Sequence, residues 1–368
     1  MRIALIAEDY YPQLGGIPEH VHNVTQAYRA MGHDVTIIAS HMRGNHQDPD
    51  YVRRLGTSIV IYFNGGVSRV TGGIRLTSRL ADLLRDLKSD IVHVHAGLTP
   101  TWGIVGHDAA DRVGLPFVAT FHSYFPRSYL FQLFKIPLQK RLDRHAATIA
   151  VSQAAAEAMD RYFTTTWDII PNGVDTNRFH ANGRSPTKMD TKHPRILFFH
   201  RLEPRNHLGT VLEAMPRVFD RFPGAQLTVA GDGPWRAYYE RQATSLGAKV
   251  KFIGRVESPP ELFREHDLYL CPSTRQSFGI ALLEAMASGT PMIVGDNPGF
   301  RSVADGTAVT LPHDHPRAWA DQAIALLEDP ARRQAMRERG LARVQRFAWP
   351  RVAAEVVAVY ERVLAKSK

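Results

Sequence analysis

Arg201 and Arg205, four residues apart in HRLEPRNH (200–207), lie in a turn after an apolar run. There they could neutralise a diphosphate, because a guanidinium grips phosphate oxygens through a two-pronged fork. Gly15 and Gly16 in YYPQLGGIPEH precede Pro18 and open a helix, so backbone N–H groups left free at its start would favour an anion. The turn is neither a GxGxxG fingerprint nor a Walker loop, and a merely tight strand-to-helix connection explains it equally well. His93 and His95 in HVH share one face of a strand; such a pair either ligates a metal or is a satisfied polar pair. His122 closes ATFHSY, and GDGP (231–234) is a second glycine-rich turn. In RQSFGIALLEAMASGTP (275–291), Gly289 stops a helix and Ser277 is its expected N-cap. Glu284 stands beside the apolar stripe of Ile280, Leu283 and Ala287, eight residues after Gln276. A carboxylate so close to a packed face needs hydrogen-bonding partners.

These turns follow short β-rich runs: 2–7, 34–40, 90–96, 117–123 and 148–152 in the first half, with amphipathic helical segments such as 17–32 and 77–89 between them. A polar stretch, HANGRSPTKMDTKHP, interrupts the alternation, which resumes with RILFFHRL, AQLTVAGDG, KVKFIGRV, DLYLCPS and PMIVGD. Alternating strands and helices predict parallel sheets covered on both faces. The expected architecture is α/β, with two Rossmann-like domains facing across a cleft. The expected parts are a first domain over 1–180, a linker over 181–194, a second domain over 195–346 and a C-terminal helix over 347–368 crossing back to the first domain. In such sheets ligands sit at the carboxyl ends of strands, where these turns lie.

The 368 residues carry a formal charge of +9, spread along the chain without a Lys/Arg block, so anionic small molecules or an acidic lipid surface fit better than nucleic acid. Cys271 is the single cysteine; it rules out an intramolecular disulfide and reads as a buried, inert thiol at a strand end. The N-terminus lacks a signal-peptide pattern and no apolar run reaches membrane-spanning length, so a cytoplasmic protein, peripheral at most at the inner membrane face, is expected. RSYLFQLFKIPLQKR (127–141) interleaves aromatic and aliphatic residues with Lys135, Lys140 and Arg141. It is either a membrane-surface helix or a helix packed inside the first domain.

Taken in order, the Gly-Gly turn, HVHAGLTP, ATFHSY, IIPNGVDTNRF, HRLEPRNH, VAGDGP, FIGRV and SFGIALLEAMASGTP resemble the family 4 retaining glycosyltransferases of the GT-B fold over nearly the whole chain. DYVRRL, YFNGGVSRV and the basic, aromatic run after ATFHS look most like the bacterial phosphatidylinositol mannosyltransferases and their relatives. The resemblance implies transfer of a hexose from a GDP- or UDP-linked donor, with no cofactor and no metal required. It implies a catalytic set of His122, Arg201 and Gln276. The donor would be bound by Gly15, Gly16, Arg201, Arg205, Asn206 and Gly231, together with Val256, Ser277, Phe278, Gly279, Ile280 and Glu284, the last of these on the ribose hydroxyls. Asn64, Arg69, His95 and His122 would face the acceptor, a lipid head group or a soluble polyol or sugar.

Two positions depart from the family pattern. Gln276 stands where the family has Glu, and Asn206 where it usually has a diphosphate-binding Lys, with His207 in place of the following Gly. An active transferase with a recast phosphate site is the first expectation. The alternatives are a non-catalytic nucleotide-sugar-binding protein and a metal-dependent hydrolase built on HVH. Loss of the carboxylate at 276 also opens the question of whether the donor sugar is neutral or acidic.

Overall fold

The computed structural model describes all residues except 9, 13, 14, 43–46, 64, 65, 96–100, 125, 126, 182–189, 191, 257–259, 367 and 368; side chains of 61–68 and 130 are likewise not described. The chain forms two compact units, Met1–Gly173 with Trp349–Lys368, and Val174–Ala348. The divide therefore falls at Gly173 rather than at the polar 181–194 stretch. Val174–Phe179 belongs to the second unit: the Val174 N–H donates to the Phe347 carbonyl (2.8 Å) and Phe179 packs on Phe263.

The first unit is built on β1 (Arg2–Ala7), β2 (Asp34–His41), β3 (Val52–Phe63), β4 (Gly66–Gly72), β5 (Ile91–Val94), β6 (Phe117–Phe121), β7 (Ala147–Ala150) and β8 (Asp168–Ile169). Their spatial order is 4-3-2-1-5-6-7-8, parallel throughout except for the β3–β4 hairpin. Strands such as β5 and β6 are buried along their whole length because helices cover both faces, which is why they read as continuous apolar runs. The order reverses between β1 and β5, so the turns after these strands, with Gly15, Gly16 and His95, lie at the switch point.

The C-terminal helix Trp349–Lys366 packs against Gly16–Ala30 of the same unit. It buries Val352, Val356, Tyr360 and Val363, each worth about 1.5–3 kcal/mol if fully removed from water. His93 is part of this packing: Nδ1 meets the Tyr360 hydroxyl (2.5 Å) and Nε2 the Thr120 hydroxyl (2.7 Å). Both ring nitrogens are occupied, so the HVH pair is not a metal-ligating pair, and the hydrolase alternative loses its basis.

The second unit holds β9 (Arg195–Phe199), β10 (Gln226–Ala230), β11 (Val250–Gly254), β12 (Leu268–Cys271), β13 (Met292–Gly295) and β14 (Val309–Leu311), in the order 11-10-9-12-13-14 and all parallel. This is the doubly wound order of nucleotide-binding sheets, with its switch point between β9 and β12. Cys271 ends β12 fully buried, and burial raises its pKa, keeping the thiol protonated and inert.

The 127–141 stretch is two short helices, Tyr129–Leu133 and Lys135–Leu142, rather than one. Phe131, Leu138 and Leu142 enter the core, while Tyr129, Leu133, Phe134 and Ile136 stay exposed. No described helix is long and apolar enough to cross a membrane.

Candidate functional site

At the switch point of the second unit, the turn after β9 carries Arg201, Glu203, Arg205 and Asn206, and the turn after β12 carries Ser273 and Gln276. The buried Glu203 carboxylate bridges the two arginines, Oε1 to Arg201 Nε (2.8 Å) and Oε2 to Arg205 Nε (2.9 Å). Both guanidinium groups are about half exposed (46% and 50%) against 7% for the Glu203 side chain. Because the carboxylate takes Nε in each case, the terminal nitrogens of both forks make no bond among the described residues. The result is two half-exposed guanidinium groups held by one carboxylate, with a positive excess. The arginines stand out in the sequence by type and Glu203 does not; the alternation Arg-x-Glu-x-Arg is the signal that marks it.

Behind the arginines the two departures from the family pattern meet. Gln276 Nε2 lies 3.1 Å from Asn206 Oδ1 and 3.1 Å from His200 Nε2. Asn206 is fully buried, donates from Nδ2 to the Arg201 carbonyl (2.7 Å) and accepts from Ser273 Oγ at Oδ1 (3.1 Å). Its amide is thereby fixed, and it ties the arginine turn to the Gln276 turn. Asn206 was expected on the diphosphate; here its side chain is committed to the protein. His200 accepts the Arg201 N–H at Nδ1 (2.9 Å), and burial followed by the charge of Arg205 lowers its pKa to about 4, so it is neutral. His207 occupies the left-handed region (φ 49°), which explains why a glycine suits this position; its Nε2 meets the Thr274 hydroxyl at 3.0 Å.

The surrounding backbone is close-packed. Gly231 (φ 131°) lies so near the His200 carbonyl that a Cβ would stand 2.0 Å from its oxygen. Val256 follows β11, whose Gly254 carbonyl accepts the Gly231 N–H (2.7 Å). The helix Ile280–Ser288 starts two residues later than expected: Gly279 (φ 127°) is its N-cap, with no side-chain cap, rather than Ser277. A β-carbon at Gly279 would also meet the Phe300 ring at 2.8 Å, so the bend and the close packing both demand glycine. Phe278 is buried against Phe347, Ile280 is half-buried, and Gly289 ends the helix in the left-handed region as expected. Glu284 lies on this helix with little exposure, close enough to Tyr269 for its charge to help raise the phenol pKa after burial has done most of it.

In the first unit the structure gathers His95 and His122 (Nδ1 to Nε2, 3.2 Å) with His20, which the sequence reading did not select although it lies one helical turn after Gly16. Trp349 packs edge-on to His20 at 5.0 Å. His20 Nδ1 and His95 Nε2 are buried without a partner among the described residues. Gly15 caps the helix Gly16–Ala30, and its carbonyl accepts the Glu19 N–H. Arg69 is on the edge strand β4, with β3, β2 and β1 between it and β5, and donates to the Ser58 hydroxyl (3.2 Å). Asn64 lies outside the described residues.

One nitrogen each from His20, His95 and His122 lies within 4.8 Å of the others, a spacing that could gather a cation. Burial opposes positive charge there. It lowers the His20 pKa to about 4 and the His93 pKa to about 3, and puts His95 and His122 well below 6.5. In the unfolded chain these rings titrate near 6.5, so below that pH the unfolded state binds more protons. Their contribution to stability is therefore expected to be constant above about pH 7 and to fall as pH drops from about 6.5 toward 4, His20 alone accounting for about 2 kcal/mol by about pH 5. Denaturant titrations at stepped pH check this; unchanged stability down to about pH 4.5 would contradict it.

A family model described as glycosyl transferases group 1 matches residues 181–343, and one described as Glycosyltransferase Family 4 matches 14–178. The chain is 33% identical to a phosphatidyl-myo-inositol mannosyltransferase of Mycobacterium tuberculosis (strain CDC 1551 / Oshkosh), over 99% of this chain and 97% of that protein. It is 26% identical to a GDP-mannose-dependent alpha-(1-6)-phosphatidylinositol dimannoside mannosyltransferase of Mycobacterium tuberculosis (strain ATCC 25177 / H37Ra), over 97% and 95%. The structure of Anabaena Alr3699/HepE in complex with UDP superimposes with a TM-score of 0.79 at 17% identity, over 98% of this chain and 100% of that one, a likeness of fold.

Proposed function

Because the chain belongs to the family 4 glycosyltransferases, we propose that it moves a hexose, with retention and without a metal, from a nucleotide-sugar to a hydroxyl of a lipid head group at the inner membrane face. The names of its relatives make GDP-mannose the first donor to try and phosphatidylinositol the first acceptor. The observation that carries the reading is the pair of open guanidinium forks on Glu203 at a nucleotide-sheet switch point.

In the proposed reaction the bond from the anomeric carbon to the diphosphate breaks, and the acceptor oxygen bonds to that carbon on the same face. The acceptor proton passes to a departing phosphate oxygen. The protein then needs no strong general base; it must stabilise negative charge growing on the diphosphate, which arginine forks and a helix start do in a fixed geometry. Arg201 and Arg205 take the diphosphate, with the backbone at Phe278 and Gly279 beside it. Glu284 takes the ribose hydroxyls, and Gln276 the hexose hydroxyls. The resemblance assigns His122 to a hexose hydroxyl, and His95, Arg69 and Asn64 to the acceptor. The neutral imidazoles of the first unit suit hydroxyl recognition, since an uncharged ring can donate from one nitrogen and accept at the other.

Calorimetric titration with GDP and with UDP tests the donor half. Binding of one nucleotide is expected, unchanged by EDTA and lost in Glu284→Ala. Binding abolished by EDTA would instead direct attention to His20, His95 and His122 as a cation site, and binding unaffected in Glu284→Ala would overturn the ribose assignment.

A further inference from the structure

We propose that the tip formed by Tyr129–Leu133 and Lys135–Leu142 is a membrane-docking face, and that the cavity beside it accepts the phosphate of an anionic phospholipid. The tip is anchored from below, because Phe131, Leu138 and Leu142 are buried in the core of the first unit. Beside these anchors, Tyr129 (84% exposed), Leu133 (76%), Ile136 (71%) and Phe134 (47%) stand in solvent within eight residues. Single exposed apolar side chains are ordinary on any surface; four on one tip mark a contact surface. Lys135 and Lys140, both exposed, lie on the same stretch.

Adjoining the tip is a cavity of about 360 Å³ lined by Arg127, Ser128, Tyr129, Gln132, Arg161 and Tyr162. Its lining contains two guanidinium groups and no carboxylate, so it favours an anion. Tyr129 belongs to both cavity and tip, which makes the two continuous. The occupant must then offer an anion and an apolar phase side by side. A free phosphate would use the arginines and leave four apolar side chains in water; a bilayer of anionic phospholipid satisfies both. The helix Leu76–Asp86, the other amphipathic segment, is a weaker candidate because Arg85 pairs with its own Asp82 (2.7 Å) and Asp86 adds a further negative charge.

The inference rests on the lipid-acceptor reading for its purpose, so the test uses vesicles that contain no acceptor. The full-length protein is sedimented with vesicles of phosphatidylcholine and with equimolar phosphatidylcholine and phosphatidylglycerol. Binding to the anionic vesicles is expected, weakening with salt. Leu133→Asp with Ile136→Asp should lower the partition coefficient by at least about tenfold, and Arg127→Glu and Arg161→Glu by about fivefold each or more. These side chains are exposed, and unchanged melting of each variant confirms folding. No binding of the unaltered protein to anionic vesicles, or variants that sediment as well as it does, would overturn the proposal. So would loss of inositol phosphate binding in the arginine variants while sedimentation is unchanged, since the cavity would then serve a soluble anion. Intact vesicle binding without sugar transfer to lipid would instead count against the acceptor reading and leave the docking face standing.

Discussion

Arg201→Ala is expected to lower kcat by about a hundred- to a thousandfold, the usual consequence of deleting one fixed group that stabilises transition-state charge. The Arg201 fork is open, its Nε held by Glu203, so little of its orientation has to be organised when a diphosphate arrives. Arg201→Lys should recover only part of the loss, since an ammonium supplies the charge without the planar fork. Glu203→Gln should cost about tenfold. It keeps one acceptor oxygen but presents an amide N–H to one of the two arginines, freeing that guanidinium to swing. The opposing effect, a more positive site that binds nucleotide diphosphate more tightly, should appear as a lower Kd for the free nucleotide alongside the lower kcat. Steady-state kinetics with nucleotide titrations separate these outcomes; an Arg201→Ala enzyme within a few-fold of the parent would contradict the assignment.

The second large effect concerns Asn206 and Gln276, which replace the Lys and Glu of the family pattern and hydrogen-bond to one another. Asn206→Lys alone would place an ammonium where a fully buried amide now holds Ser273, Gln276 and the Arg201 carbonyl. Gln276→Glu alone would turn a donor facing Asn206 Oδ1 into an acceptor, leaving two oxygens opposed. Each change should lower kcat/KM by about tenfold or more, because a buried polar group left unpaired costs about 1–3 kcal/mol. The double change Asn206→Lys with Gln276→Glu pairs the new charges and should recover much of the loss, a coupling of about 1–3 kcal/mol in a double-mutant cycle. Additive losses would show that the two positions act separately. The same cycle run with a neutral hexose donor and its uronate counterpart addresses the donor: a carboxylate at 276 should reject the uronate, while Gln276 has no such charge.

The strands were legible because parallel sheets buried on both faces produce unbroken apolar runs, as in β1 and β5. The glycines of the turns are legible because positive φ and close neighbours leave no room for a side chain, the His200 backbone at Gly231 and the Arg337 and Ala181 side chains at Gly289. Other features depend on tertiary context. Ser277 has the chemistry of an N-cap, but the chain bends at Gly279 and the helix begins after it. The segment 127–141 carries one helical pattern, but the backbone leaves helical geometry at Phe134 (φ −101°, ψ 20°) and splits it into two short helices. The domain divide was placed by composition at 181–194, whereas contacts made by Val174 and Phe179 set it earlier. Within the site, Arg201 and Arg205 were found from their type. Glu203 and the Asn206–Gln276 bond were not, since only the fold shows which neighbours a carboxylate or an amide will meet.

The proposed reaction is retaining transfer of a hexose to a lipid hydroxyl. Its most direct measurement is incubation of the purified protein with GDP-mannose, then with UDP-glucose, and vesicles containing phosphatidylinositol, with the product's anomeric configuration read by NMR. The expected product is a hexosylated lipid that keeps the donor's α configuration, formed in step with release of the nucleoside diphosphate. An inverted anomer, or release of nucleoside diphosphate with free sugar only, would contradict it.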